Sequence, residues 1–364
     1  MTNAMRNGNK YQVELRNAAF DYLRAAGVIA VVIYHGLKSE YPWILGPLSG
    51  SGWFGVELFF VISGFLVTKS YIQRNLSIKE FYLKRAWRIL PAYVCILGLS
   101  LIFALILALE GTPNLHDFIH SLPLHLIFCS NYSHHQPVIN LWSLALEVQF
   151  WVALPLIIAI IAKIDKYVRP FFVFLLMASV PIILRMLAIE MNPDVISMVP
   201  QTTDEYGYRI YSPTVSHLDG LLIGCFIGLY FPRIKSVRFF YNHLAWFIFT
   251  GLAIVTSLAI VSWEYRTYSP RPYWLAAFQF PSLLGIGFGL VLIGLMQQSR
   301  KRIRSLRVIE WISDRIYSPI PHTRPTFNCI QPICCRSPGS FNISTTGYIG
   351  NICDLHSDSW RSVV

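Results

Sequence analysis

Apolar residues in this chain come in long blocks, near 18–36, 53–68, 91–109, 142–162, 170–190, 214–231, 244–262 and 274–297, and short polar segments, most of them basic, separate them. Each block is close to the roughly 20 residues that a helix needs to cross a bilayer core. One further run, "FIHSLPLHLIFCSNY" at 118–132, is too short and too rich in His and Pro to cross, and is expected to be re-entrant or interfacial. The pattern therefore predicts an all-α polytopic membrane protein, a bundle of about eight to ten transmembrane helices. The first block has no small-residue cleavage site and leads at once into the next, so it reads as a retained helix. No internal repeat emerges. The expected organisation is a short segment at 1–17, one transmembrane domain at 18–318 and a dissimilar tail at 319–364.

Composition supports this class and excludes others. The chain has 364 residues, 54% hydrophobic and only 13% charged, and its mean hydropathy of +0.48 is too high for a water-soluble globule. The net charge of +11 does not point to nucleic acid, because the basic residues lie between apolar blocks and not on an aromatic-interleaved patch. Their alternation is informative instead. With the N-terminus inside, the inner segments hold 20 Lys and Arg and the outer loops only four, Lys38, Arg209, Arg266 and Arg271. Positive residues favour the cytoplasmic side, so the chain is expected to be multi-pass with its N-terminus in the cytoplasm.

The tail departs from the pattern. After "ISDRIYS" comes "PIPHTRPTFNCIQPICCRSPGS", rich in Pro, Ser, Thr and Cys, with no apolar block. A metal-binding tail is one reading, since Cys329, Cys334, Cys335, His322 and His356 are possible ligands, but their spacing matches no common zinc pattern. A frameshift explains more. Codons for Pro319 to Arg324, read one base later, can encode Leu-Tyr-Leu-Thr-His and a small residue, and the same frame then permits a ninth apolar helix.

Ionisable residues inside the apolar blocks are the candidate chemistry, because a charge in the membrane is costly unless it is used. In "RAAGVIAVVIYHG" Arg24 and His35 are eleven residues apart, which puts them on one helical face, about 16 Å apart along the axis. Glu57 in "WFGVELFFVISGFLVT" is expected about one turn below the outer surface, with Ser63 near mid-depth and Gly64 allowing close packing. Lys84, Arg85 and Arg88 precede the third block, where guanidinium forks suit phosphate oxygens and simple positive-inside anchoring is the competing account. Glu147 and Gln149 in "NLWSLALEVQFW" are expected at a depth similar to His35, where a carboxylate orients or charge-stabilises an imidazole. A structural pair between Glu147 and Arg185 is the alternative. "TVSHLDGLLIGCFIG" adds His217 and Asp219 near the outer mouth, and Gly220, Gly224 and Gly228 at four-residue spacing form a packing seam.

Together, Arg24 with His35, "ELFFVISGFL", Arg85-x-x-Arg88 leading into "ILPAY", "LWSLALEVQFW" and "HLDGLLIG" resemble the acyltransferase family 3 membrane O-acyltransferases, over about residues 16–318. The resemblance implies a bacterial inner-membrane enzyme that moves an acyl group, commonly acetyl from cytoplasmic acetyl-CoA, to a hydroxyl of a surface or lipid-linked glycan. It implies no bound cofactor or metal; acyl-CoA is the co-substrate and the glycan and the bilayer are the partners. Carried onto this chain, His35 is the essential base or transient acyl carrier, Glu147 a supporting acid, and Arg24, Arg85 and Arg88 the acyl-CoA side. Glu57, Gln149, Arg185, His217 and Asp219 then form a substrate-side polar cluster. Two departures stand out: His217 occupies a place where relatives often have Arg, and the family's closing "SYxxYLxH"-like helix is missing where the shifted frame would supply it.

Two rivals remain at this level. A secondary transporter or flippase would use the same buried charges for protons or substrate, and an aberrant tail would leave a non-catalytic remnant. The frameshift reading predicts that sequencing the genomic locus finds one extra base near codon 319. A clean in-frame locus, with peptide masses matching residues 319–364, would overturn it.

Overall fold

The computed structural model describes residues 18–36, 50–73, 76–109, 114–133, 141–193, 207–267 and 280–297. They belong to the first of two compact units, Met1–Ile320. The tail, with its candidate metal ligands and the proposed change of frame, lies outside the described residues.

Each of the eight expected blocks contains a helix among its described residues. In chain order the elements are α1 (Ala18–Gly36), α2 (Phe54–Gln73), α3 (Ile78–Leu109), α4 (Asn114–Leu126), α5 (Leu141–Ile164), α6 (Pro170–Glu190), α7 (Asp219–Ser236), the short α8 (Arg238–Asn242), α9 (Leu244–Thr267) and α10 (Phe280–Gln297), and no strand occurs among the described residues. Five of them, α2, α3, α5, α6 and α9 through Ser262, are long and apolar enough to cross a membrane, and α10 carries a shorter apolar stretch. The protein is an all-α polytopic membrane protein.

Two N-terminal boundaries depart from the hydropathy pattern, and polar side chains explain both. α3 begins thirteen residues before the apolar block at 91 because "SIKE" forms a capping box. The Glu80 amide donates to Ser77 Oγ at 3.3 Å, and Glu80 Oε2 accepts from the Ser77 amide at 3.1 Å and hydroxyl at 3.0 Å. α7 starts only at Asp219, because the preceding residues are consumed in a tight turn, Thr214–Ser216. There Ser216 Oγ donates to the carbonyls of Ile210 at 2.5 Å and Pro213 at 3.1 Å, a local side-chain to backbone bond that competes with helix. The run at 118–132 becomes α4 and a second tight turn, Ser130–Tyr132. At thirteen residues α4 is about 20 Å long and too short to cross.

α2 is the central helix: 67% of its spanning window is buried, against 11% for α9. Apolar surface gains little by leaving lipid for another helix, so close packing must hold the bundle. Glycines make it possible. A Cβ on Gly64 would land on the Leu221 carbonyl of α7, and one on Gly224 would land on the Val61 carbonyl of α2. Along the same seam Gly220 lies against Phe60 and Glu57, and Gly228 against Phe65 and Thr68. The contacts advance together on both helices, so α2 and α7 run parallel.

Other pairs give the remaining directions. Phe20 stacks on Phe65 while Gly27 meets Gly55 and Phe59, so α1 runs antiparallel to α2. Gly285 and Gly289 of α10 pack on Ile223 and Ile227 in parallel with α7, and Gly251 and Gly287 join α9 to α10 antiparallel. Eight long helices thus alternate in direction. The end that holds Ala18 is called lower and the end that holds Gly36 upper. At the lower end Arg233 of α7 holds Asp165, just past α5, through bonds of 3.0 and 3.2 Å, and these bonds keep the Asp165 carboxyl below its ordinary pKa.

The seam makes a comparison with an internal control possible. Gly64→Ala must push a backbone away, and overpacking of this kind costs about 1–3 kcal/mol. Gly98 on α3 has nothing within 4 Å of the point where a Cβ would stand, so Gly98→Ala should be neutral or stabilising by up to about 1 kcal/mol. Thermal unfolding in detergent should therefore fall for the first variant and not for the second.

Candidate functional site

The middle of α7, from Leu221 to Leu229, is apolar, but the start of the helix brings two buried polar pairs together. Glu57 of α2 and His217, two residues before α7, are both 0% exposed and bonded through Oε1 and Nε2. His217 Nδ1 lies 2.7 Å from the Tyr211 carbonyl. A carbonyl only accepts, so Nδ1 carries a proton and the contact with Glu57 shares one more. The pair is either imidazolium with carboxylate or imidazole with carboxylic acid. Rings enclose it: Tyr211 at 4.4 Å, Phe60 at 5.6 Å and Trp142 at 5.6 Å from the imidazole centroid. Glu57 Oε2 is buried without a hydrogen-bond partner among the described residues.

Asp219 forms the second pair. Arg185 of α6 donates to Asp219 Oδ2 and, through Nε, to the Ser216 carbonyl at 2.8 Å, while Ser282 of α10 donates to Asp219 Oδ1. Arg185 and Asp219 are 2% and 1% exposed. Burying these ions is tolerable only because each has its partner and further bonds. The two pairs join α2, α6, α7 and α10 at one level, so Glu57, Arg185, His217 and Asp219 converge as a cluster.

Gln149 stands apart as a structural knot. Its amide donates to the Phe128 carbonyl at 2.5 Å and to Asn131 Oδ1 at 2.9 Å, and its oxygen accepts from Thr214. Asn131, 0% exposed, donates to Thr214 Oγ1 at 2.9 Å and the Ser212 carbonyl at 3.2 Å. These bonds pin the turn after α4 to the turn before α7. Phe128 itself has a φ of 56°, a left-handed conformation that costs a bulky residue about 1–2 kcal/mol and aims its carbonyl at Gln149.

The expectation that Glu147 shares the depth of His35 is corrected. Glu147 accepts from Ser63, and the antiparallel packing of α1 on α2 puts Ser63 level with about Tyr22, near Arg24. His35, thirteen residues further along α1, is about 20 Å higher along the axis. The reason is that α5 does not start at the upper surface. Trp142, its second residue, already meets Phe60, about one turn below Glu57 on α2. Counting turns from the surface therefore misplaces Glu147.

Arg24 and His35 lie on the single unbroken helix α1. The Arg24 side chain is 14% exposed and 3.8 Å from Asp21; His35 is exposed in the last turn, its ring 5.1 Å from that of Tyr34. Arg85 lies over the Phe81 ring at 5.9 Å, and Arg88 is exposed beside it on α3. Sequence reasoning missed Asn131, Thr214, Ser216, Tyr211 and Ser282 as members of these networks. Their only signal was a small polar residue or a tyrosine within or beside an apolar run.

Removing one partner of the Glu57–His217 pair leaves a buried polar group stranded, which costs about 3–5 kcal/mol. His217→Phe or Glu57→Leu alone should lower thermal stability by that order, and the two together should recover most of it. Additive losses in this double-mutant cycle would show that the pair is not coupled.

The acyltransferase domain family matches residues 17–318 of this chain. A protein of Staphylococcus aureus (strain MSSA476), itself provisionally named an O-acetyltransferase, is 26% identical over 251 residues, 64% of this chain and 38% of the relative. The peptidoglycan O-acetyltransferase OatA of Listeria monocytogenes is 26% identical over 346 residues, 88% of this chain and 52% of the relative. The O-acetyltransferase OatA of Staphylococcus aureus (strain NCTC 8325) is 27% identical over 234 residues, 58% of this chain and 34% of the relative. The chain thus spans about a third to a half of the length of the curated relatives it matches. No solved structure matches it. With the family covering the whole helical bundle, the chain belongs to acyltransferase family 3.

Proposed function

We propose that this chain is a membrane O-acyltransferase that moves an acyl group, acetyl in the first instance, from acyl-CoA to a hydroxyl of a surface or lipid-linked glycan. Family membership supports the reaction class, and the name of the Listeria relative supports a glycan as acceptor. The observation that carries the reading within this chain is α1, an apolar helix with Arg24 part-buried and His35 on the same face at its upper end.

The lower end faces the cytoplasm in this reading, because Lys79, Lys84, Arg85, Arg88, Lys163 and Arg233 gather there. Arg85 and Arg88 attract the anionic donor at the mouth, and Arg24 lies on its way. His35 takes the proton of the acceptor hydroxyl as that oxygen attacks the thioester carbonyl. The C–O bond forms, the C–S bond breaks, and the departing thiolate takes up a proton. Transient acylation of His35 is the two-step form of the same transfer. Glu147, bonded to Ser63 near the level of Arg24, acts on the donor side and not as the partner of His35. Residues 319–364 have no assigned part.

The test uses membranes that contain the full chain, radiolabelled acetyl-CoA and glycan mass spectrometry. Acetyl groups should appear on the glycan, and His35→Ala should reduce their formation by about 100-fold or more, the usual scale for a general base. Unchanged acetylation in that variant overturns the assignment of His35, and uptake without an acyl product points to a transporter.

A further inference from the structure

α4 follows the upper end of α3 and packs by one face only. Phe118, Ser121 and His125 are 1%, 2% and 1% exposed, and the Tyr93 hydroxyl of α3 donates to the His125 carbonyl at 2.8 Å. Leu115 and Leu122 pack against the same cluster of Tyr93, Leu97 and Phe118. At about 100° per residue these positions spread over one side of the helix, and His116 and His120 fall on the other. The His116 side chain is 73% exposed, and His120 is exposed beside it. The stretch reads "HDFIH", residues 116–120.

The geometry gives this pair a chemistry. The two imidazole centroids are 4.3 Å apart, with 53° between the ring planes, so the rings stand side by side and are not splayed into solvent. His116 Nδ1 lies 3.5 Å from Asp117 Oδ1. A carboxylate on that nitrogen keeps the ring proton there and presents Nε2 as the ligand. Histidines four residues apart on a helix place two nitrogens on one metal ion. Two nitrogens at 2.0–2.1 Å from a tetrahedral ion are about 3.3 Å from one another, a spacing that these rings reach by turning slightly about χ2. Among the described residues no third His, Cys, Asp or Glu joins them in a closed cage, so water completes the coordination and the ion exchanges with solution. Because α4 docks by its opposite face, none of its packing has to move to admit the ion.

We propose that His116 and His120 bind a divalent transition-metal ion of the zinc type at the upper end of the bundle, with Asp117 orienting His116. The site uses none of the residues assigned to acyl transfer and stands whether or not the chain transfers an acyl group. Imidazole suits zinc and its neighbours, whereas Mg²⁺ and Ca²⁺ prefer oxygen ligands. The ion bridges the first two turns of α4, and a ligand that binds the helix better than the opened segment holds it closed.

Equilibrium dialysis of the purified full chain in detergent against Zn²⁺ tests the site. His116→Ala and His120→Ala should each take up one equivalent of zinc fewer than the parent, while the control His243→Ala at the lower end takes up as much as the parent; comparing variants in this way cancels any zinc held by the cysteines elsewhere in the chain. Both substitutions are at exposed helical positions where alanine is the better helix former, so a lost equivalent does not report unfolding. Zinc should also slow hydrogen exchange of the α4 amides by about tenfold in the parent and not in His120→Ala. Equal zinc uptake by His120→Ala and the parent overturns the proposal, as does zinc-dependent protection of α4 that persists in that variant, or displacement of the zinc by Mg²⁺ at the same concentration.

Discussion

Two helix backbones, those of α2 and α7, touch through the glycines of a single seam, and the Glu57–His217 pair at the core of the bundle depends on that contact. Gly64 against Leu221 and Gly224 against Val61 leave no room for a side chain. At such a distance Glu57 is cut off from water and lipid headgroups alike, and His217 is the group placed to meet it. If the seam opened by the width of one methyl group, the carboxylate and the imidazole would part, and both would be left in a medium that solvates neither.

The polar groups then sort by level. Uppermost is His35, exposed in the last turn of α1. Below it the Glu57–His217 and Arg185–Asp219 pairs tie four helices together. Lower still come Ser63 with Glu147 and, beside them, Arg24. The end of α2 carries Lys69 and Gln73. The buried pairs in the middle keep the helices in register.

The irregular segments contribute as much as the helices. Pro213, Ser216 and the strained Phe128 fold two turns into the bundle, where Gln149 and Asn131 bond them together. Backbone outside a helix is tolerated at this depth only when its polar groups are satisfied within the protein. Through Gln149 both turns are tied directly to α5.

The sequence alone determined the class, the eight apolar helices, their alternating direction and the face shared by Arg24 and His35, because length, hydropathy and the 3.6-residue period are local properties. The glycine spacing on α7 also announced a seam. What no local pattern contained was depth and partner. Glu147 looked level with His35 because both were counted from a surface, and only the packing of α5 against α2 put it beside Ser63. Arg185 found Asp219, Glu57 found His217, and Lys69 turned inward, because a charge inside an apolar bundle goes to whatever neighbour the helix crossings supply, and those crossings are a property of the whole fold.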